Sequence, residues 1–322
     1  MIGFKNIKSV LIIGAAGGLA EITASLLIKE HPEVRITGID PRPIPHPIRH
    51  ENIEYLKMRF TRTKFEKLFR EKQFDLVLHL ARMSHADSST HGKMEKRLDA
   101  NVIGTKRILD LCLKYEVKKV IILSTYHVYG ALNDNPTFIT EDFPLRASIR
   151  YPELRDVVEM DQLCTNWMWK NQSDIETLVL RPCAIIGPQI QNTMTRYLTT
   201  PYAPLPADFN PMFQYIHEFD MAKILIDCIA KVPTGLYNIA PDEAISVREA
   251  RNFMGLPSIP IPMAILYGAA KIISSPLWRF PDYLLDYLKY SCIIDNNEIK
   301  KHIGNSAFRF SIHESLELLK LE

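Results

Sequence analysis

Short apolar runs alternate with longer amphipathic stretches through the first 180 or so residues. Val10–Ile13 is a buried-strand run, and Leu19–Glu30 beyond it carries apolar positions at helical spacing. Arg35–Asp40 and Asn52–Leu56 read as strands, Lys64–Lys72 as a helix, and Asp75–Leu80 as a strong strand. Lys93–Tyr115 has helical periodicity through Leu98, Val102, Ile108, Leu109 and Leu113. Val120–Ser124 is again a strand, Pro152–Trp169 a helix and Thr177–Arg181 a strand. Repeated strand–helix units of this kind predict an α/β fold with a parallel sheet covered by helices on both faces.

Beyond Gly187-Pro188 the pattern changes. Prolines cluster between Pro188 and Pro211 and again between Pro257 and Pro281. Between the clusters a helix over Asp220–Lys231 and a strand over Leu236–Ala240 remain legible. The expected organisation is a main domain over residues 1–187, with residues 213–240 returning to it. Residues 188–212 and 241–322 form a smaller, discontinuous C-terminal lobe that would take a substrate.

Composition narrows the function. The 322 residues are 47% hydrophobic and 24% charged, with a formal net charge of +2. The stretch from Pro41 to Asp75 holds nine Lys or Arg against five Asp or Glu, which reads as a solvated face. With no long basic run beside it, this argues against a nucleic-acid partner. Cys112, Cys164, Cys183, Cys228 and Cys292 form no C-x-x-C pair, which argues against zinc or dithiol chemistry and for reduced thiols. No leader segment is evident, so a cytoplasmic location is expected. Ile259–Trp278 is apolar, but prolines and Lys271 interrupt it. It reads as a pocket wall or core segment rather than a membrane contact.

Candidate chemistry begins where the first strand enters Gly14-Ala15-Ala16-Gly17-Gly18-Leu19-Ala20 and then a helix. Gly14 permits the sharp turn. Gly17, with Gly18 beside it, lets a backbone approach a pyrophosphate at the positive end of the helix, and Ala20 lets helix and strand pack closely. Asp40 ends the second strand, where a carboxylate accepts hydrogen bonds from adenosine ribose hydroxyls. The combination predicts a Rossmann doubly wound domain that binds a nicotinamide dinucleotide. Asp40 favours NAD; Arg42, two residues on, could instead hold the extra phosphate of NADP.

From here the sequence resembles the extended short-chain dehydrogenase/reductases, the NAD-dependent epimerases and dehydratases, over nearly its whole length. Beyond the glycine turn the resemblance rests on DLVLHLA (75–81), NVIGT (101–105), STYHVYG (124–130), LRPCAIIGP (180–188), FQYIHEFD (213–220) and GLYNIA (235–240). It implies that Leu80, Ala81, Asn101 and Pro182 lie beside the cofactor. It also implies Thr125 as the hydroxyl that orients a reacting oxygen and Tyr151 as general base or acid. The family pairs this tyrosine with a lysine four residues on; here Arg155 stands there. A guanidinium keeps the charge that would depress the Tyr151 pKa, but it does not relay a proton.

Two further arginines depart from the pattern. Arg59 stands where an acidic residue near the adenine is usual, and Arg82 follows Ala81 where a small residue is usual. If Arg82 points inward, it meets a pyrophosphate or an anionic substrate. His79 and His217 read as packing groups, and His127 as a group that could face the substrate. The reading is an NAD(H)-dependent oxidoreductase or epimerase acting on a secondary alcohol, a nucleotide-sugar or an apolar or lipid-linked one. The alternative is a cofactor-binding regulator that has lost its chemistry with the lysine. A small-molecule substrate is the expected partner, and the resemblance leaves a homodimer open.

Overall fold

The period-two alternation of apolar side chains is what builds the sheet. A computed structural model of the chain describes residues 3–83, 91–190, 192–272 and 282–320. In chain order the elements are β1 (Ser9–Ile13), α1 (Gly18–Glu30), β2 (Arg35–Asp40), β3 (Ile53–Lys57), α2 (Arg62–Glu71), β4 (Leu76–His79), α3 (His91–Arg97) and α4 (Gly104–Lys114). They continue with β5 (Lys119–Leu123), α5 (Ala147–Arg150), α6 (Arg155–Lys170), β6 (Glu176–Pro182), β7 (Ala184–Ile186), α7 (Thr193–Thr199) and β8 (Ala203–Pro206). The remainder are β9 (Met212–Phe213), β10 (Tyr215–His217), α8 (Glu218–Lys231), β11 (Gly235–Ile239), β12 (Ile245–Ser246), α9 (Val247–Phe253), β13 (Ser258–Ile261), α10 (Met263–Ile272), α11 (Asp282–Tyr287), α12 (Asn297–Ile303) and α13 (Ile312–Lys320).

Seven strands form one parallel sheet in the order β3-β2-β1-β4-β5-β6-β11. Val10, Ile12, Leu76, Leu78, Ile121, Leu178 and Leu180 point to one face and pack with α1 and α8. Leu11, Ile13, Val77, Val120, Ile122 and Val179 point to the other and pack with α2, α4 and α6. Both faces are covered, which is why the strands read as continuous apolar runs. The buried Lys119 Nζ donates to the carbonyls of Ile229 (2.9 Å) and Val232 (2.8 Å), so a cation closes the negative end of α8. The direction of winding reverses between β1 and β4, which leaves a crevice at the carboxyl ends of the strands there.

The structure departs from the sequence reading in two helices. The helix expected over 93–115 is interrupted by a π-helical turn at Leu98–Ile103 between α3 and α4. The helix expected from Pro152 opens as a 3-10 turn, Pro152–Leu154, with Pro at its first position, before α6. The smaller strands β7 to β10, β12 and β13 pair two by two, apart from the main sheet. Within the apolar stretch Ile259–Trp278, residues up to 261 belong to β13 and residues 263–272 to α10; residues 273–278 lie outside the described residues. Among the described residues no helix is long and apolar enough to cross a membrane. The five cysteines are buried and unpaired.

Candidate cofactor and substrate cleft

The glycine turn is shaped by contacts on three sides. Gly14 has φ +96°, and a Cβ there would lie 2.8 Å from the Ala81 nitrogen, so only glycine lets the turn lean on β4. A Cβ on Gly18 would fall 2.2 Å from the Gln189 carbonyl oxygen, so the loop after β7 closes over the start of α1. Gly17 is the N-cap of α1 and offers no capping side chain. A Cβ there would meet only the Gly14 carbonyl, at 3.4 Å. This leaves space where an anionic group can approach the amides of the helix terminus. Ala20 packs into the core under α1.

Asp40 sits beside this turn, with its side chain 2% exposed. Its Oδ2 accepts from the Ala16 amide at 3.1 Å. Arg42 donates to both carboxylate oxygens at 3.0 Å through Nε and Nη2. Burial disfavours the charged carboxylate, but the hydrogen bonds from Arg42 and Ala16 outweigh it and hold the pKa below its ordinary value. The Asp40 carboxylate, expected to meet a ribose, is held by Arg42 in this structure, and Arg42 itself lines the neighbouring cleft.

That cleft, of about 550 Å³, lies over the carboxyl ends of the strands. Leu80 and Arg82 line it after β4, Thr125 and His127 after β5, Pro182 at the end of β6, and Tyr283 from α11. Thr125 Oγ1 accepts from the His127 amide at 3.4 Å, which leaves its hydroxyl proton free to donate. The strand end is braced from beneath. Ser124 Oγ donates to Asp161 Oδ2 at 2.5 Å, and Arg181 grips the same carboxylate through Nε (3.0 Å) and Nη2 (2.6 Å).

Tyr151 is held away from this cleft. Its phenol, in a residue 5% exposed, lies 2.7 Å from Asp286 Oδ2 and 3.0 Å from the Ala131 carbonyl oxygen, so one proton serves two acceptors. Tyr267 donates to the other oxygen of Asp286, and Arg150 Nε approaches the carboxylate to 3.7 Å. Burial, and then the hydrogen bond and charge of Asp286, push the Tyr151 pKa well above its ordinary value. Arg155 does not counter this. Its side chain is 62% exposed and donates through Nε to Glu159 at 2.6 Å, one turn along α6. Where the sequence led to an expected pairing of Tyr151 with Arg155, the phenol here meets the Asp286 carboxylate and Arg155 meets Glu159.

Asn101, expected beside the cofactor, accepts through its amide oxygen from the Met83 nitrogen (2.8 Å) and donates to the Met83 carbonyl (3.1 Å) and to the buried Asp156 (2.6 Å). His79 bonds Thr105 Oγ1 at 2.8 Å, and His217 accepts from the Phe219 amide at 3.2 Å to cap α8. Burial lowers both imidazole pKa values to about 4, so both are neutral packing groups. Arg59 carries no contact that ties it to the cleft. Asp286 and Tyr283 escaped the sequence reading. The signal was present in Tyr283, Asp286 and Tyr287, polar groups at helical spacing within an apolar stretch, all buried.

Residues 10–240 match the profile of the NAD dependent epimerase/dehydratase family. An uncharacterized protein of Mycobacterium tuberculosis is 25% identical over 306 residues, covering 92% of this chain and 79% of its own. Among solved structures, dTDP-glucose 4,6-dehydratase from Bacillus anthracis in complex with NAD superposes with a TM-score of 0.75 at 17% identity, covering 98% of this chain and 96% of that one. UDP-glucose 4-epimerase from Thermotoga maritima with UDP-glucose gives 0.73 at 17% identity, with 97% of each chain covered.

Proposed function

The chain belongs to the NAD dependent epimerase/dehydratase family, and on that premise we propose that it is an oxidoreductase or epimerase acting on a secondary alcohol of a small molecule seated in the cleft. One observation carries the reading: a cleft at the switch point of the sheet has the buried Thr125 and Pro182 in its lining, next to a glycine turn where a Cβ on Gly17 would meet only the Gly14 carbonyl, at 3.4 Å. The residues present fit the dinucleotide. The amides at the start of α1 would take the pyrophosphate, Ala81 backs the turn, and Asp40 with Arg42 would meet the adenosine ribose. When bound, the nicotinamide supplies a hydride acceptor for the carbinol carbon.

The chain's own residues do the rest. Thr125 donates a hydrogen bond to the reacting oxygen and fixes its direction. Tyr151 would take the hydroxyl proton only after its own phenolic proton passes to Asp286, which it already faces at 2.7 Å. Retention of the ketone in the cleft would permit epimerisation, and its release would give net oxidation. The relatives' substrates, dTDP-glucose and UDP-glucose, make a nucleotide-sugar the first candidate. A second reading, a cofactor-binding protein without turnover, is favoured by the Tyr151–Asp286 contact and by the distance of Arg155 from that phenol.

The test is NAD affinity by calorimetry, followed by hydride transfer across a panel of nucleotide-sugars and apolar secondary alcohols. NAD binding with turnover that Thr125→Val lowers supports the enzyme. NAD binding with no turnover on the whole panel favours the binding protein, and absence of NAD binding removes both.

A further inference from the structure

Arg82 is a cation whose charge the fold leaves unmatched. It lines the cleft, and its Nη1 is buried without a hydrogen-bond partner. Among the described residues no carboxylate forms an ion pair with it. The buried acid Asp156 is committed elsewhere: Arg97 Nη2 lies 3.3 Å from its Oδ1, and the Asn101 amide donates to its Oδ2 at 2.6 Å. Burial pushes the Arg82 pKa down, and only the influence of Tyr283 and Asp156 opposes it. An unpaired buried charge is costly to keep, and a fold that keeps one at the wall of a cleft is completed by a ligand.

The rest of the lining has the same sign. Arg42, Arg82 and Arg196 line the cleft, and no Asp or Glu among the described residues does. Arg42 is neutralised by Asp40 and Arg196 is exposed to solvent, so the half-buried Arg82, with its Nη1 buried, is the cation available inside. Its position is firm, because both backbone groups of the next residue, Met83, are held by Asn101. Its place separates it from the pyrophosphate turn: Ala81 leans on Gly14, whereas Arg82 lines the cleft together with Tyr283 of α11.

We propose that Arg82 is the recognition site for an oxyanion, carboxylate or phosphate, carried by the second ligand of the cleft rather than by the dinucleotide. The proposal rests on the functional reading above and names its substrate class: an alcohol that bears an anionic group. A planar guanidinium suits either oxyanion through paired N–H donors.

Thermal unfolding of the full chain tests this, with sodium acetate and inorganic phosphate as probes against chloride at matched ionic strength, with and without saturating NAD. The expected result is a concentration-dependent rise in Tm in the presence of NAD, absent in Arg82→Met and partly kept in Arg82→Lys. The larger of the acetate and phosphate responses identifies the oxyanion. Arg82→Gln, which keeps donors without the charge, replaces the methionine variant if that one does not fold, and should be equally unresponsive. Equal responses in wild type and the uncharged variant overturn the proposal, as does no response in either. A response that disappears once NAD saturates assigns the anion to the cofactor and also overturns it. Failure of NAD to bind wild type refutes the functional reading instead, independently of the oxyanion response.

Discussion

Replacing Tyr151 with Phe separates a phenol that holds the fold from one that waits for substrate. In the structure the hydroxyl bridges Asp286 Oδ2 at 2.7 Å and the Ala131 carbonyl at 3.0 Å, all within a buried corner. Phe removes the donor and leaves two buried acceptors short of a partner, at a cost of about 1–3 kcal/mol. The remaining support for Asp286, from Tyr267 and the more distant Arg150, keeps the loss at the lower end of what an orphaned buried charge incurs. For a chain of 322 residues the unfolding entropy is about 0.7 kcal/mol/K, so 2 kcal/mol corresponds to roughly 3 °C in Tm. Urea unfolding of wild type, Tyr151→Phe, Asp286→Asn and the double variant gives the coupling directly, with at least about 1 kcal/mol expected. Equal stability of Tyr151→Phe and wild type, with no coupling in the cycle, would show that the phenol is not engaged by Asp286 and would sink this account of the corner.

Other expectations follow from the same geometry. Gly17→Glu should abolish NAD binding in calorimetry while circular dichroism stays native, because a side chain there enters open space rather than the core; retained affinity would move the pyrophosphate elsewhere. Asp40→Ala should raise affinity for NADP relative to NAD by about tenfold, since it frees Arg42 to hold the extra phosphate; an unchanged ratio means Arg42 does not reach it. Arg155→Ala should leave the urea midpoint close to wild type, as befits an exposed i,i+4 pair with Glu159, and should leave NAD affinity unaltered. His79 and His217, with folded pKa values of about 4 against about 6.5 unfolded, contribute stability that is present above pH 6.5 and lost as pH falls towards 4. The loss is of order 3 kcal/mol each, and His79→Asn should flatten the dependence of urea midpoints on pH over that window.

What the sequence disclosed follows from how each feature is encoded. The strands of the main sheet were legible because burial on both faces leaves runs of four or five apolar residues, and the glycine turn because Gly14 occupies a backbone region other residues avoid. Strands such as Met212–Phe213 and Ile245–Ser246 are two residues long and set no period, so the C-terminal lobe was read only as a change of texture. A residue's place was legible wherever its neighbours in sequence fix it, as for Thr125 at a strand end lining the cleft. It was not legible where the partner is distant. Nothing near Tyr151 announces Asp286, 135 residues away, and nothing near Asp40 shows whether Arg42 turns towards it or towards solvent.

The two departures at the acid–base corner have a common electrostatic sense. A phenol that acts as a base needs a neighbouring cation to stabilise its phenolate. Arg155 could meet that need only by leaving Glu159, and Arg150 is drawn to Asp286, so neither charge is committed to Tyr151. Asp286 meanwhile accepts the phenol's proton in a hydrogen bond, which favours the neutral form and repels the phenolate. The corner therefore stores Tyr151 as a proton donor rather than as a base. The same short helix α11 carries Asp286, which holds the Tyr151 phenol, and Tyr283, which lines the cleft together with Arg82. The carboxylate that favours the neutral phenol and the wall that carries the unmatched guanidinium therefore belong to one element.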